Sequence, residues 1–412
     1  MRKQLSVVDL FAGAGGLSEG FHREGFHIVA YVEKDRYACG TLLTRHIYWE
    51  LKRRGQENLY YDYLKGLVSK NDLYSYLNVI NPVISAEISD TTLSAILKSI
   101  RKNMRLSNIK TVDIFIGGPP CQAYSLVGRA RDPYNMEHDP RNMLYKYYVE
   151  LLKEFRPQMF IFENVPGVLS AGGGQLWKDV QLYFRQVGYE IASRILDASD
   201  FMVLQQRKRV ILLGWRKSLK LSYPDFEGTP HNYMVREILP DLPPLEPGQS
   251  IDIGNYVSEP AKYLRKTGIR TENDILIQHT SRYLNENDRQ IYEIAINLWH
   301  GKRRRLKYCE LPPNLKTHTN EQSFQDRFKV VADDLPFSHT LVAHISRDGH
   351  YYIHPDKTQV RSISVREAAR IQSFPDNYKF EGSRKAQLAQ IGNAVPPLMA
   401  EKIAEKIKDM LL

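Results

Sequence analysis

The sequence predicts an α/β fold in which a largely parallel sheet carries helices on both faces. Over the first half of the chain, short apolar runs rich in β-branched residues alternate with stretches of helical periodicity. Glycines or polar residues directly follow several of these runs, and ligands of parallel sheets collect at the carboxyl ends of the strands. Beyond about residue 217 the alternation gives way to proline-rich turns and a basic run. This change predicts a second, smaller and irregular domain.

The predicted strands are short apolar runs, as expected for strands that are buried on both faces. They are Leu5–Phe11, Ile28–Val32, Pro82–Ile88, Val112–Ile116, Met159–Phe162, Glu190–Leu196 and Val210–Gly214. Helical periodicity marks the stretches between and after them, namely Leu17–Glu24, Asn142–Phe155, Gln175–Val187, Val365–Ser373 and Lys385–Leu412. The segment Tyr37–Asn81 also has helix-like patterning and many tyrosines, and we interpret it as an insertion.

These patterns divide the chain into three ranges. Residues 1–216 form the predicted α/β domain, with the insertion at about 37–81. Residues 217–335 form the irregular domain, and residues 336–412 return to the first domain. A chain of 412 residues is long enough for one large core and a second, smaller one.

Composition restricts the cellular location of the protein more than it restricts the function. The net charge is +10, from 57 Lys and Arg against 47 Asp and Glu, which fits either a polyanionic partner or a merely basic soluble protein. The basic run Lys302–Arg305 has the same two readings, a phosphate-contacting patch or a solvated charge run. The three cysteines, Cys39, Cys121 and Cys309, are too sparse for a disulfide framework and suit no metal site. With no signal peptide or transmembrane-length run, we expect a cytoplasmic protein without membrane contact.

A glycine-rich turn after the first strand predicts a nucleotide-like cofactor site. Gly13, Gly15 and Gly16 allow a tight turn and close approach of a ligand, and the alternative is a turn that needs glycines for its own geometry. Glu33, about twenty residues further on, ends the second strand, where a carboxylate can accept hydrogen bonds from a ribose diol. The string AGAGG is not the dinucleotide pattern GxGxxG, and this difference favours S-adenosylmethionine.

Cys121 is the candidate nucleophile. It follows the strand–loop sequence IFIGGPP, in which two glycines and two prolines predict a stiff loop at the carboxyl end of a strand. Most single cysteines in cytosolic proteins are small core residues. The position of Cys121 after a strand, and not within an apolar run, favours a residue presented to a pocket.

Two further polar positions follow or begin predicted strands. Glu163 ends the run MFIF, and its carboxylate is either a proton donor buried behind that run or a helix cap or surface charge. Arg207 and Arg209 are two residues apart at the start of a strand, so both side chains leave the same face. Paired arginines serve equally well as structural ion-pair partners.

Five motifs in one order resemble the bacterial cytosine-C5 DNA methyltransferase family of restriction-modification systems. They are DLFAGAGG, GGPPCQAYS, FENV, QQRKR and REAARIQSFPD with IGNAVPP. The resemblance covers roughly residues 5–40, 80–215 and 325–410. It implies a Rossmann-like, S-adenosylmethionine-dependent catalytic domain that is interrupted in sequence by a target-recognition domain at 217–335.

The resemblance also implies roles for individual residues. Cys121 corresponds to the nucleophile, Glu163 to the acid, and Arg209, with Arg207 beside it, to the arginines near the cytosine. The implied cofactor contacts are Phe11, Ala12, Gly13, Gly15, Gly16, Leu17, Glu33, Glu87, Ile88, Pro119, Asn393 and Val395. The implied activity is methylation of carbon 5 of a flipped-out cytosine in a specific duplex DNA sequence, through a covalent cysteine adduct. We further expect a monomer that forms no stable complex with any cognate restriction endonuclease.

Two departures from the family pattern are visible. The chain has Met202, Val203, Leu204 and Gln205 where the family usually has Gly-Val-Pro-Gln. The family pattern therefore does not predict the backbone conformation of that loop. Glu87-Ile88 stands where the family usually has Asp-Ile. Two other functions remain: an RNA cytosine methyltransferase, whose usual Cys-Phe-Thr signature is absent here, and a non-catalytic DNA-binding adaptor, which tends to lose the cysteine or the cofactor motifs.

Target specificity is predicted to reside between about Lys217 and Leu335. The motif loops elsewhere are already assigned to cofactor and chemistry, and loops on a rigid scaffold are the usual carriers of recognition. Side chains able to make bidentate contacts with bases recur through Asn285–Gln290 and Asn314–Gln325.

Overall fold

A computed structural model of the chain describes residues 4–75, 80–120, 143–318 and 321–412. A seven-stranded sheet forms its centre, in the order β3-β2-β1-β4-β5-β7-β6. The strands are β1 Ser6–Leu10, β2 His27–Glu33, β3 Val83–Ser85, β4 Ile114–Gly117, β5 Met159–Asn164, β6 Tyr189–Asp197 and β7 Lys208–Arg216. All seven predicted strands are confirmed. β1 to β5 pair in parallel, whereas β7 runs antiparallel to both β5 and β6.

The carboxyl ends of the parallel strands meet at one edge of the sheet. In β1 all five residues are buried, because helices cover both faces of the sheet. Leu10 of β1 lies opposite Val32 of β2 on one side and Gly117 of β4 on the other. Gly117 in turn lies opposite Phe162 of β5. The residues that follow these positions in sequence therefore converge on one region.

Twelve helices are present in the described part of the chain. They are α1 Gly16–Arg23, α2 Arg36–Arg53, α3 Glu57–Leu64, α4 Lys70–Ser75, α5 Leu93–Leu106, α6 Leu144–Phe155, α7 Gln175–Gln186, α8 Lys262–Lys266, α9 Glu286–Lys302, α10 Val365–Ile371, α11 Arg384–Asn393 and α12 Pro397–Leu411. The helical signal predicted over Lys385–Leu412 is two helices. The break falls before Pro396 and Pro397, where Ala394 is extended (φ −67°, ψ 151°), because the two prolines have no N–H group with which to continue the first helix.

The range 217–335, predicted to be irregular, contains two regular features. β8 Ser250–Gly254 and β9 Leu276–Thr280 form a small antiparallel sheet, and α9 runs for 17 residues. The side chain of Asn285 caps α9 by accepting a hydrogen bond from the backbone N–H of Asp288. Only four residues of α9 are fully buried, so its apolar stripe is too narrow to stand out in the sequence.

Buried apolar side chains form separate clusters around the sheet. One cluster packs on each face of the sheet, and the first of them includes Val235, Ile238 and Tyr263 from the predicted recognition range. A third cluster, the recognition core, extends from Leu284 to Val360 and therefore crosses the predicted boundary at residue 335. A fourth cluster joins α2, α3 and α4 to β9.

The chain ends pack against each other. A Cβ at Gly20 of α1 would lie 2.3 Å from the backbone of Ala400, so α1 and α12 are in backbone contact that only glycine permits. No helix within the described residues has both the length and the apolar character needed to cross a bilayer.

Candidate active site

One cavity of about 440 Å³ lies at the carboxyl edge of the sheet. A cavity of this size is within the usual range for sites that bind small molecules. Its lining includes the turn after β1, the ends of β2, β4 and β5, the start of β7 and the α11 region. The polar or charged residues among the lining are Asp9, Glu33, Lys34, Asp35, Glu87, Glu163, Arg209, Gln390 and Asn393.

The turn after β1 forms one wall of this cavity. Phe11 and Gly13 both have left-handed backbone conformations, with φ of 56° and 54°. A Cβ at Gly16 would lie 2.2 Å from the carbonyl oxygen of Val395, so glycine is needed where the C-terminal segment closes on this turn. Phe11, Ala12, Gly13, Gly16 and Leu17 line the cavity as predicted. 

Gly15 has a different position from the other glycines of the turn. It does not line the cavity. A Cβ there would meet a side-chain carbon of Leu42 at 2.8 Å and the hydroxyl of Tyr378 at 3.0 Å. Its φ of 80° also favours glycine. We therefore expect Gly15 to shape the turn without touching a ligand.

Glu33 connects the glycine turn to the loop after β2. One carboxylate oxygen accepts a hydrogen bond of 2.8 Å from the backbone N–H of Gly13, and the other accepts from the N–H groups of Lys34 and Asp35. These bonds fix the carboxylate at the cavity wall. At the rim, Lys34 forms an ion pair of 2.9 Å with Glu87, and both residues line the cavity together with Ile88.

Asp9 lines the same cavity and was not identified from the sequence. Its carboxylate is buried within β1 and accepts a hydrogen bond of 2.7 Å from the hydroxyl of Ser18. Burial raises the pKa of Asp9 to about 8. The available signal was the acid itself, which interrupts the apolar run LSVVDLF at a position that the strand buries.

The other end of the cavity contains an acid and an arginine in contact. Glu163 at the end of β5 and Arg209 at the start of β7 form an ion pair of 2.7 Å between Oε1 and Nε. Their side chains are 15% and 11% exposed, so the pair is largely desolvated but open to the cavity. A Cβ at Gly118 would lie 2.4 Å from Oε2 of Glu163, so glycine leaves room for this carboxylate.

The loop after β4 is tied to β5 beside this pair. The side-chain amide of Asn164 donates to the carbonyl of Pro119 at 3.3 Å, and its oxygen accepts from the N–H of Val165 at 2.9 Å. Pro119 and Pro120 both line the cavity. Cys121, the predicted nucleophile, lies outside the described residues.

Arg207 does not line the cavity. Its side chain is buried, and its guanidinium donates to the carbonyls of Leu341 and Gly392. Gly392 precedes Asn393, which lines the cavity together with Val395. The two arginines of the QQRKR motif thus differ: Arg209 faces the cavity, whereas Arg207 holds the C-terminal segment that forms part of its wall.

The loop that departs from the family pattern is ordered by its surroundings. Met202 adopts a left-handed conformation, with φ of 65° and ψ of 8°. Glycine adopts this conformation at the lowest cost, which accounts for the family's usual glycine at this place. The carbonyl of Met202 accepts a hydrogen bond of 2.8 Å from the hydroxyl of Tyr263, which supports the loop here.

The fold and the cavity together define a class of protein. A mostly parallel sheet with one reversed strand carries a glycine turn and an acid, as in enzymes that bind a nucleoside-containing cofactor. The family model described as C-5 cytosine-specific DNA methylase matches residues 5–57 and 84–409. The chain therefore belongs to this family of enzymes. The family model leaves residues 58–83 unmatched.

Proteins similar to the chain are named as methyltransferases. A type II methyltransferase of Bacillus paralicheniformis, M.Bpa9945I, is 43% identical over 98% of this chain and 99% of its own length. M.DdeI of Desulfomicrobium norvegicum is 30% identical, over 98% and 88%. Among solved structures, a prophage-encoded E. coli protein described as a DNA modification methyltransferase matches with a TM-score of 0.66 and 25% identity, over 99% of each chain.

Proposed function

We propose that this chain transfers a methyl group from S-adenosylmethionine to carbon 5 of a flipped-out cytosine in a specific duplex DNA sequence. We further propose that it is the modification enzyme of a restriction-modification system. One observation carries the proposal: a single cavity extends from the glycine turn and Glu33 to the Glu163–Arg209 pair. A cofactor held at one end would thus lie beside the groups that handle the base.

The residues at the cofactor end fit S-adenosylmethionine. Gly13, where a Cβ would meet no atom within 4 Å, lets the backbone approach a ligand closely, and Glu33 presents a fixed carboxylate to a ribose diol. Phe11, Ala12, Leu17, Glu87, Ile88, Pro119, Asn393 and Val395 complete this part of the lining. When bound, S-adenosylmethionine supplies the methyl group on a sulfonium.

The residues at the base end of the cavity have separate roles in the reaction. The thiolate of Cys121 adds to carbon 6 of cytosine, which forms a carbon–sulfur bond and moves an electron pair into the ring. Glu163 donates a proton to N3, while Arg209 orients this carboxyl group and holds the base. Once carbon 5 carries the methyl group, a base removes H5, the carbon–sulfur bond breaks with Cys121 leaving as the thiolate, and N3 returns its proton to Glu163.

Access to the base requires that the cytosine leave the duplex, at a cost of a few kcal/mol. Contacts with the DNA backbone have to offset this cost, and the net charge of +10 is consistent with such contacts. We propose that the enzyme acts as a cytoplasmic monomer, and that it forms no stable complex with a cognate endonuclease.

A covalent trap tests the proposal. Duplex DNA with 5-fluorocytosine at the target should form a denaturation-resistant adduct in the presence of S-adenosylmethionine, because fluorine blocks the final elimination. The target itself is found by sequencing 5-methylcytosine in genomic DNA after expression in a methylation-free host. Cys121→Ala should abolish the adduct, whereas Cys309→Ala, which removes an exposed cysteine of the recognition region, should retain it.

Two results would overturn the proposal. Methyl transfer to tRNA but not to duplex DNA would identify an RNA enzyme, and no transfer to either would support a non-catalytic adaptor. An adduct that persists in Cys121→Ala would leave the DNA activity standing but would assign the nucleophile to another residue.

A further inference from the structure

The recognition core carries two cations opposite each other on its surface. We propose that Arg305 and Lys329, here called the cation pair, bind a backbone phosphate of the DNA. This inference rests on the proposed action on duplex DNA and assigns one contact that such action requires.

The backbone places the two side chains together. Leu306 and Phe328 form an isolated antiparallel bridge, and close to it the N–H of Tyr308 donates to the carbonyl of Gln325 at 3.2 Å. Leu306 and Phe328 are buried at 2% and 3% exposure. Side chains alternate between the two faces of paired strands, so their neighbours Arg305 and Lys329 share the outer face and lie across from each other.

The acids nearby are engaged elsewhere. In the basic run, Arg303 is paired with Asp334, and both carboxylate oxygens of Glu310 accept from Arg304 at 2.8 Å. Within the described residues, Arg305 has no acidic partner at ion-pair distance. The same basic run thus contains two neutralised arginines and one that is available to an anion.

Lys329 is only weakly compensated. Its ammonium lies 3.9 Å from Asp326, whose side chain is 69% exposed. Burial and the neighbouring charge of Arg305 lower the pKa of Lys329. Like charges directly opposite in paired strands are destabilising, so a phosphate between the two cations would relieve their repulsion.

The position of Lys329 is fixed before any ligand arrives. Its backbone donates to the carbonyl of His350 and accepts from the N–H of Ile353, each at 2.9 Å. Its ammonium lies 5.4 Å from the centre of the Tyr351 ring, and the side chain is 20% exposed. A preorganised cation loses little conformational entropy on binding.

A short series of contacts leads from the pair to the catalytic strand. The carbonyl of Tyr351 is hydrogen bonded to the His339 ring at 2.6 Å, and the hydroxyl of Thr340 donates to the carbonyl of Gln206 at 2.7 Å. Gln206 lies two residues before β7, which carries Arg209. Two adjacent cations match the concentrated negative charge of a phosphate, which is bound by charge and needs no further acceptor or donor pattern.

Salt dependence of DNA binding tests the assignment. Fluorescence anisotropy with a labelled mixed-sequence duplex should give a log–log salt slope for wild type, Arg305→Gln and Lys329→Met. Loss of one phosphate contact lowers the slope by about 0.9, which weakens binding about eightfold at 0.1 M salt. Arg304→Gln, in the same run but neutralised by Glu310, is the matched control and should change the slope much less. Without DNA, the thermal midpoint of either cation-pair variant should stay level or rise, because repulsion is removed.

The outcomes separate this inference from the proposed function. If wild type binds and methylates DNA while the cation-pair variants keep the wild-type slope, the phosphate assignment is wrong. A lowered thermal midpoint with an unchanged slope would make the two residues structural. If wild type neither binds nor methylates duplex DNA, the proposed function itself fails.

Discussion

The catalytic cavity and the recognition core are built in different ways. In the cavity, the polar side chains are bound by backbone groups next to strand ends, as Glu33 is by the N–H groups of Gly13, Lys34 and Asp35. The recognition core, from Leu284 to Val360, contains one long helix, short 3₁₀ turns and isolated bridges. The sheet thus positions the cavity side chains through backbone hydrogen bonds, whereas few backbone ladders constrain the packing of the recognition core.

This difference indicates which residues of the molecule tolerate substitution and which do not. A strand end is positioned by hydrogen bonds on both sides, so a side chain there has one productive place. A loop on a packed core can change its length and its side chains at small cost, which suits a surface that must read different targets. Five experiments test the contrast.

The largest effect is expected from exchange of the recognition region with that of a relative of different specificity. Exchange of 284–360, the range of the recognition core, should transfer the target sequence while Glu163 and Arg209 continue the chemistry. Each base pair read is worth roughly 1–3 kcal/mol, so several together change specificity by 10³-fold or more. Sequencing of methylated DNA from cells that express the chimera measures the result.

A second chimera tests the range predicted from the sequence, 217–335. It cuts through the recognition core, so we expect lower stability than for the exchange of 284–360. Transfer of the target by this chimera alone would place the base-reading residues in 217–283. An active chimera of either kind that still methylates the recipient's original site would place recognition outside the exchanged range.

Glu163→Gln should lower the rate of methyl transfer by about 10²-fold or more, the usual effect of losing a general acid. Binding of S-adenosylhomocysteine, measured by calorimetry, should stay near wild type, because Glu163 lies at the base end of the cavity. Glu150→Gln, an exposed carboxylate on α6, is the control and should have wild-type kinetics. Unchanged turnover in Glu163→Gln would reduce the residue to a structural partner of Arg209.

Substitution of the two arginines of the QQRKR motif should have different effects, a loss of stability for Arg207 and a loss of activity for Arg209. Arg207→Ala leaves two buried carbonyls without their donor, at about 1–3 kcal/mol each, and should lower the free energy of unfolding. Arg209→Ala should slow methyl transfer while the protein stays folded. Urea unfolding and single-turnover kinetics on both variants measure this, and equal loss of stability in the two would contradict the division of roles.

The smallest effects are expected from two glycines, Gly16 in the turn at the cavity and Gly301 in α9 of the recognition core. Gly16→Ala brings a methyl group against the backbone of Val395 and should destabilise by up to about 3 kcal/mol. Gly301→Ala in α9 meets no atom within 4 Å and should stabilise by up to about 1 kcal/mol, because alanine has the higher helix propensity. Thermal unfolding of both variants gives the comparison, which a stabilised Gly16→Ala would contradict.

The sheet and its cavity could be predicted from the sequence more fully than the recognition core. All seven strands of the main sheet could be predicted. The five central strands are buried apolar runs next to a turn, whereas the edge strands β3 and β6 are mostly exposed or only partly buried and differ from the buried strands that the pattern predicts. The predicted residues Glu163 and Arg209 form an ion pair at the cavity, because they lie at the adjacent ends of the neighbouring strands β5 and β7. Asp9 was missed because a buried acid and a surface acid look alike in a sequence. The helix α9 was missed because its buried stripe is narrow, and the recognition core could not be delimited because its contacts join distant segments.

The contact between α1 and α12 has a consequence for synthesis of the protein. Gly20 and Ala400 are 380 residues apart and yet touch, so the glycine turn acquires its second wall only after almost the whole chain has been made. Long-range closure of this kind slows folding. We therefore expect the nascent chain to lack this closed turn until α12 has left the ribosome. Joining the termini and opening the chain elsewhere would move this closure to an earlier stage of translation.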